Sequence, residues 1–248
     1  MFPVIHLGRL AIQASGLMII LGLYLGITLA EHRLPQKGIK VNQFYTIIFL
    51  GLGLGVLGGR LLFILQNFRQ FLASPVNIVS LDPNLLDPFG GVALAGIAVL
   101  VYGYRTKLQF WTTLDAFTPV LAVLTIFFGL AHLASGMAYG APTNLPWGLN
   151  LWGDNRHPSQ VYEILAGIII FIALWHRFGS QTNPGVTFLL FVTITAGARL
   201  LLEAWRGDEM LLVAGIRLTQ WFAWLLMSIS LLILDGKMVS HKPSENDQ

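Results

Sequence analysis

Two short stretches hold most of the residues able to do polar chemistry in this chain. One is Asp154-Asn155-Arg156-His157-Pro158-Ser159-Gln160-Val161-Tyr162-Glu163, with an apolar run from Ile164 to Trp175 directly behind it. The other is Gly197-Ala198-Arg199-Leu200-Leu201-Leu202-Glu203-Ala204-Trp205-Arg206. At 3.6 residues per turn, Arg199, Glu203 and Arg206 fall on one helical stripe, with Arg199 and Glu203 an i,i+4 pair. Guanidinium groups beside a carboxylate make an anion clamp, because Arg presents a planar fork of donors to an oxyanion. Each stretch also has a plainer reading. Pro158 and Ser159 suit the start of a helix, and Arg199 with Glu203 would neutralise each other and fix helix packing. Those readings leave Arg156, His157, Gln160 and Glu163 without a use. Polar groups at the mouth of an apolar helix are expensive unless something there engages them.

Other charges lie inside apolar runs. Arg60 follows Gly51-Leu52-Gly53-Leu54-Gly55-Val56-Leu57-Gly58-Gly59. Gly51, Gly55 and Gly59, four apart, make a smooth face for close helix packing. Arg60 has two open readings: it snorkels to lipid headgroups, or it holds a lipid phosphate in the interior. Asp115 reads as structural, and Gln220 as an interhelical hydrogen-bonding residue. Asp87-Pro88-Phe89-Gly90-Gly91 is a turn signal in which the glycine pair permits close approach of a backbone or ligand.

The elements that must position these residues are membrane helices. The chain has 248 residues, 55% hydrophobic and 11% charged, with a mean hydropathy of +0.68. Soluble domains carry about 25% charged residues, so the composition points to an integral membrane protein. The pI near 9.3 is then a matter of positive loops rather than of nucleic-acid binding. With no cysteine, disulfides, thiolate catalysis and Cys-ligated metal are excluded. Six scattered His without HxxxH or HExxH spacing give a metal site no support. The N-terminus lacks a cleavage pattern and reads as part of the first membrane region.

A spanning helix needs about 20 apolar residues, and seven spans are expected, near 12–30, 43–65, 89–104, 110–135, 160–175, 185–205 and 211–234. Arg33, Lys37 and Lys40 lie in the first connection, Arg105 and Lys107 in the third, His176 and Arg177 in the fifth, and Lys237 and Lys242 in the tail. In the others, Arg69, Arg156 and Arg206 are offset by Asp82 and Asp87, by Asp154, and by Asp208 and Glu209. The positive-inside rule then puts the C-terminus in the cytoplasm and the N-terminus outside. Trp111, Trp175, Trp205 and Trp221 fall near helix ends, and Trp147 and Trp152 are expected at headgroup level. The connections 66–88 and 136–159 read as ordered surface or re-entrant segments. The expected organisation is all-α, a single seven-helix membrane domain over 1–240 with a disordered tail at 241–248.

Taken together, these stretches resemble the prolipoprotein diacylglyceryl transferase family. The resemblance rests on Gly59-Arg60-Leu61, Gly90-Gly91, Gly136-Met137-Ala138-Tyr139-Gly140, Arg156-His157-Pro158-Ser159-Gln160-Val161-Tyr162-Glu163 and Gly197 to Arg206, in that order. It implies a multi-pass enzyme of the bacterial cytoplasmic membrane, its site toward the outer leaflet. Such an enzyme moves diacylglycerol from phosphatidylglycerol to the thiol of a lipobox cysteine in a preprolipoprotein. The products are a thioether and glycerol phosphate, and no cofactor is implied. On this resemblance His157, Glu203 and Arg199 are the expected catalytic residues. Arg60, Arg156, Gln160, Glu163, Arg206, Gly90 and Gly91 are expected to bind substrate. The match departs at Phe89, where the family has His, and at Gly129, His132, Ser135 and Met137, which replace Arg, two Asn and Glu of the family pattern. Ser15 stands where the family has Tyr. The alternative expectation is therefore a relative that binds an anionic lipid headgroup without transfer.

Overall fold

Long unbroken runs of Leu, Ile, Val, Phe, Ala and Gly leave no polar stripe for water, and each such run becomes a helix. The computed structural model describes residues 4–7, 10–73, 85–151, 153–180, 183–207, 212–213 and 216–239. Trp152, residues 74–84 of the second connection and the expected tail lie outside the described residues. The helices are α1 (Ala14–Glu31), α2 (Leu34–Lys37), α3 (Val41–Gln66), α4 (Phe68–Ala73), α5 (Pro88–Arg105), α6 (Phe110–Ser135), α7 (Ser159–Leu174), α8 (Val186–Leu202) and α9 (Leu218–Val239). Seven of these segments are long and apolar enough to cross a membrane, in agreement with the seven spans expected.

Among the described residues, three small antiparallel hairpins, which the apolar pattern did not announce, precede or join the helices. They pair β1 (Val4–Leu7) with β2 (Leu10–Gln13), β3 (Leu149–Leu151) with β4 (Asp154–Arg156), and β5 (Leu212–Val213) with β6 (Ile216–Arg217). The last one corrects the final span. Its helix begins at Leu218 rather than near 211, because the preceding apolar residues are used in β5 and β6 and Arg217 is turned to a carboxylate outside the helix.

The chain divides into two compact units, Gly38–Thr113 and the combination of Met1–Lys37 with Leu114–Gln248. In the first unit α3 and α5 pack closely. A side chain at Gly58 would meet Gly90 O and Leu94, and one at Gly90 would meet Leu62 and Gly58 O. Gly91 faces Gly55 O in the same way. Asp87 caps α5 by accepting from Gly90 N at 2.8 Å, and Pro88 occupies its first turn.

In the second unit Ala122, Ile170, Leu174, Phe178 and Phe191 form a buried core among α6, α7 and α8. Gly129 lies against Ile164 and Gly167 against Ile126, so α6 and α7 approach where neither helix has a side chain in the way. The start of α8 is held from α6: the buried Asp115 accepts from Gly185 N at 2.7 Å and Phe188 N at 2.9 Å. This bears out a structural reading of Asp115. Lys37 donates to Ser180 O at 2.5 Å and stands 4.0 Å from Asp115. Burial lowers the Lys37 pKa from its usual value, against the opposing pull of Asp115.

Candidate functional site

Three helices of the second unit line one cavity of about 160 Å³, and each contributes residues at n, n+3, n+4 and n+7, beginning at Thr125, Glu163 and Thr195. That spacing is one face of an α-helix. The three stripes are largely apolar, with the hydroxyls of Thr125 and Thr195 toward one end and His132, Glu163 and Arg199 together at the other. A typical small-molecule pocket is about 300 Å³ or more, so this volume suits a headgroup fragment or a chain segment rather than a whole phospholipid. A second recess of about 420 Å³, between α8 and α9, shares Thr195 and Arg199 and is otherwise lined by residues such as Phe191, Phe222 and Leu226. Arg199 thus stands at the seam of two apolar recesses.

Glu163 is the centre of the polar cluster. Its Oε2 lies 2.7 Å from His132 Nδ1, and its Oε1 accepts from Arg199 Nη1 at 3.1 Å and Arg206 Nη1 at 3.2 Å. Glu203 is the second carboxylate, fully buried. Arg217 Nη1 donates to its carbonyl at 2.7 Å and reaches Oε1 at 3.4 Å. Arg199 Nε stands 3.3 Å from Glu203 Oε2, an electrostatic contact without hydrogen-bond alignment. Two carboxylates therefore hold three guanidinium groups on one side of the cavity. Charges placed this way remain at membrane depth only because each has a partner.

The connection from Gly136 to Pro158 is pinned to this cluster. Ala141 N donates to Trp205 O at 2.8 Å and Gly207 N to Tyr139 O at 2.9 Å. Ser159 Oγ donates to Ala138 O at 2.5 Å, and Gln160 Nε2 to Met137 O at 2.9 Å. Ala138 holds a positive φ of 54°, which a non-glycine residue adopts only under such restraint. Arg156 is spent inside the connection: it donates to Leu151 O, Gly140 O and Asp154 and lies over the Tyr139 ring. His157 Nδ1 is 3.4 Å from the Tyr162 hydroxyl, which in turn accepts from Trp147 Nε1 at 2.9 Å.

Of the residues expected from sequence, Glu163, Arg199, Glu203 and Arg206 come together. Gln160 and Arg156 are occupied in the adjoining connection, and His157 pairs with Tyr162. Arg60 belongs to the other unit, where its Nη1 donates to Leu85 O at 3.1 Å and its guanidinium lies over Phe71. Gly90 and Gly91 serve helix packing there. Two members of the cluster, His132 and Arg217, were absent from the expected site. Arg217 carried a signal, since an Arg inside an expected span asks for a partner. His132 was visible as a departure from the family pattern, where it could stand in for a polar group the pattern has lost.

Comparison with known proteins places this geometry in context. The prolipoprotein diacylglyceryl transferase profile matches residues 3–234. The chain is 29% identical over 231 residues to the phosphatidylglycerol–prolipoprotein diacylglyceryl transferase of Bordetella bronchiseptica, covering 88% of each. It is 27% identical to the protein of that name from Finegoldia magna, covering 88% of this chain and 86% of the relative. With the one from Nitratidesulfovibrio vulgaris it shares 33% over 191 residues, 73% and 71% of the two chains. The chain belongs to the prolipoprotein diacylglyceryl transferase family.

Proposed function

We propose that the chain is a phosphatidylglycerol:prolipoprotein diacylglyceryl transferase of a bacterial cytoplasmic membrane, working at the outer leaflet with its N-terminus outside. One observation carries this reading: Arg199 and Arg206 converge on Glu163 at the charged end of a largely apolar cavity. An anionic lipid needs both halves of that arrangement, cations for its phosphate and apolar walls for its chains. The names of the relatives supply the donor and the acceptor, phosphatidylglycerol and a prolipoprotein.

In the reaction the acceptor thiolate attacks the glyceryl carbon that carries the phosphate ester. A C–S bond forms, the C–O bond breaks, and the electron pair leaves on glycerol phosphate. Arg199 is the group best placed to meet the developing charge, and charge-assisted hydrogen bonds of this kind carry much of such catalysis. Arg206 supports it through the shared Glu163. Glu203, sealed from solvent between Arg199 and Arg217, positions the guanidinium groups. Arg60 remains a candidate for binding an anionic lipid headgroup.

The test is transfer by purified protein in phosphatidylglycerol vesicles, with a lipobox peptide as acceptor and mass spectrometry for the thioether. Appearance of the diacylglyceryl peptide supports the reading. A second reading, lipid binding without transfer, draws on Phe89, Gly129 and Met137, which bring no polar atom where the family pattern has one. Retention of phosphatidylglycerol with no thioether would establish it instead.

A further inference from the structure

We propose that His132 is the general base of the transfer, an assignment that rests on the transferase reading above. Its Nδ1 lies 2.7 Å from Glu163 Oε2. A carboxylate in that place takes the Nδ1 proton as its donor and leaves Nε2 as the lone-pair nitrogen. His132 lines the same cavity as Arg199, and a third of its side chain stays accessible while Glu163 is mostly covered. Glu163 cannot swing away to serve as the base itself, because its other oxygen is tied to Arg199 and Arg206. It is the orienting member of a His–carboxylate pair, in the arrangement general-base catalysis uses. The charged groups facing His132 are Glu163 from α7 and Arg199 from α8, with Arg206 and Glu203 behind them.

The other candidates fit less well. His157 faces Tyr162 and does not line this cavity. Glu203 is closed to solvent and engaged by Arg217. Among the described residues, His32 is bonded to Thr28 O on its own helix.

The step balances simply. His132 Nε2 takes the proton from the acceptor thiol, whose ordinary pKa of about 8.5 leaves it mostly protonated at neutral pH. The thiolate sulfur bonds to the glyceryl carbon, and the phosphate oxygen departs with the C–O electron pair, met by Arg199. The imidazolium proton passes to water as glycerol phosphate leaves.

The experiment compares two acceptors, a lipobox peptide with cysteine and the same peptide with selenocysteine. A selenol is already ionised at neutral pH and needs no base. His132→Gln keeps a polar side chain beside Glu163 without the basic nitrogen, and His132→Asn serves if the glutamine variant is less stable. General-base catalysis contributes roughly 10²–10⁴-fold, so thiol transfer should fall about 100-fold or more in the variant. Selenol transfer should stay within a few-fold of wild type, with unchanged retention of phosphatidylglycerol. Thiol transfer at the wild-type rate in His132→Gln overturns the assignment and leaves the transferase reading standing. Equal loss with thiol and selenol also overturns it, since His132 would then hold the site together rather than move a proton. Wild-type protein inactive on both acceptors removes the transferase reading and this inference with it.

Discussion

Arg199 Nη1 lies 3.1 Å from Glu163 Oε1, an ion pair that ties α8 to α7 across the polar end of the cavity. The same guanidinium presents Nε to Glu203, which directly follows the last residue of α8. A lysine has one ammonium and no fork, so it cannot face both carboxylates at once. Arg199→Lys should therefore behave nearly as badly as Arg199→Ala. A charge-assisted hydrogen bond is worth about 1.5–3 kcal/mol, or roughly tenfold to a hundredfold. Transfer rate and phosphatidylglycerol retention by native mass spectrometry should both drop on that scale. Wild-type behaviour of Arg199→Lys would contradict the clamp.

Glu203→Gln tests the buried carboxylate. Removing one partner of a buried ion pair costs about 3–5 kcal/mol, because the remaining charge is left uncompensated. Arg217 loses its carboxylate partner in this variant, so thermal unfolding in detergent should shift down clearly. Arg156→Ala, at a guanidinium confined to the Gly136–Pro158 connection, should shift it less. The reverse order would place the structural anchor in the wrong residue.

Glycine substitutions separate packing from tolerance. At Gly90 an added methyl would meet Leu62 and Gly58 O, whereas nothing lies near Gly53. Overpacking costs roughly 1–3 kcal/mol, so Gly90→Ala should lower thermal stability. Gly53→Ala should be neutral or raise it by about 0.5–1 kcal/mol, the helix-propensity gain. Equal midpoints for the two variants would show that the α3–α5 contact is looser than described.

Lys37 predicts an alkaline dependence. Burial lowers its pKa in the folded protein, against the opposing effect of Asp115. Between that lowered value and the usual 10.5, the unfolded chain binds the proton and the folded chain does not, so stability rises with pH across that window. The penalty is fully present below the folded value and fades as pH climbs toward 10.5. Relative to Lys37→Met, wild type should gain thermal stability between neutral pH and pH near 10. A constant difference between the two proteins would refute the buried-ammonium account.

The orientation predicts a pair of fusion signals. A reporter placed after Lys107 should read cytoplasmic, and one near Asn144 should read outside, as the alternating Lys and Arg of the connections require. The opposite pair would invert the membrane placement of the site.

Much of this was legible before any coordinate. The seven apolar runs could become nothing but spanning helices, and Arg199 with Glu203 was visible as an i,i+4 pair. The start of α9 was not, since Leu212 and Val213 are as apolar in a hairpin as in a helix. Nor was the partnership of His132 with Glu163, which joins two helices 31 positions apart. Periodicity describes each helix about its own axis and carries no information on how neighbouring helices are rotated. The same holds for Arg156, because a guanidinium that clamps its own connection has the same sequence signature as one that clamps a ligand.

The Asp115 cap at the start of α8 has a consequence for where chemistry happens. From Val186 to Arg199 the helix rises roughly 20 Å at about 1.5 Å per residue, while the hydrocarbon layer is about 30 Å thick. If the Gly185 turn lies at one boundary of that layer, Arg199 would stop short of the other. On the proposed reading a lipid phosphate bound there would be drawn below the plane of its neighbours, away from bulk water. The acceptor would have to descend to the same depth, so the anchored end of α8 would act as a fixed-length plumb line setting how far both reactants leave the interface.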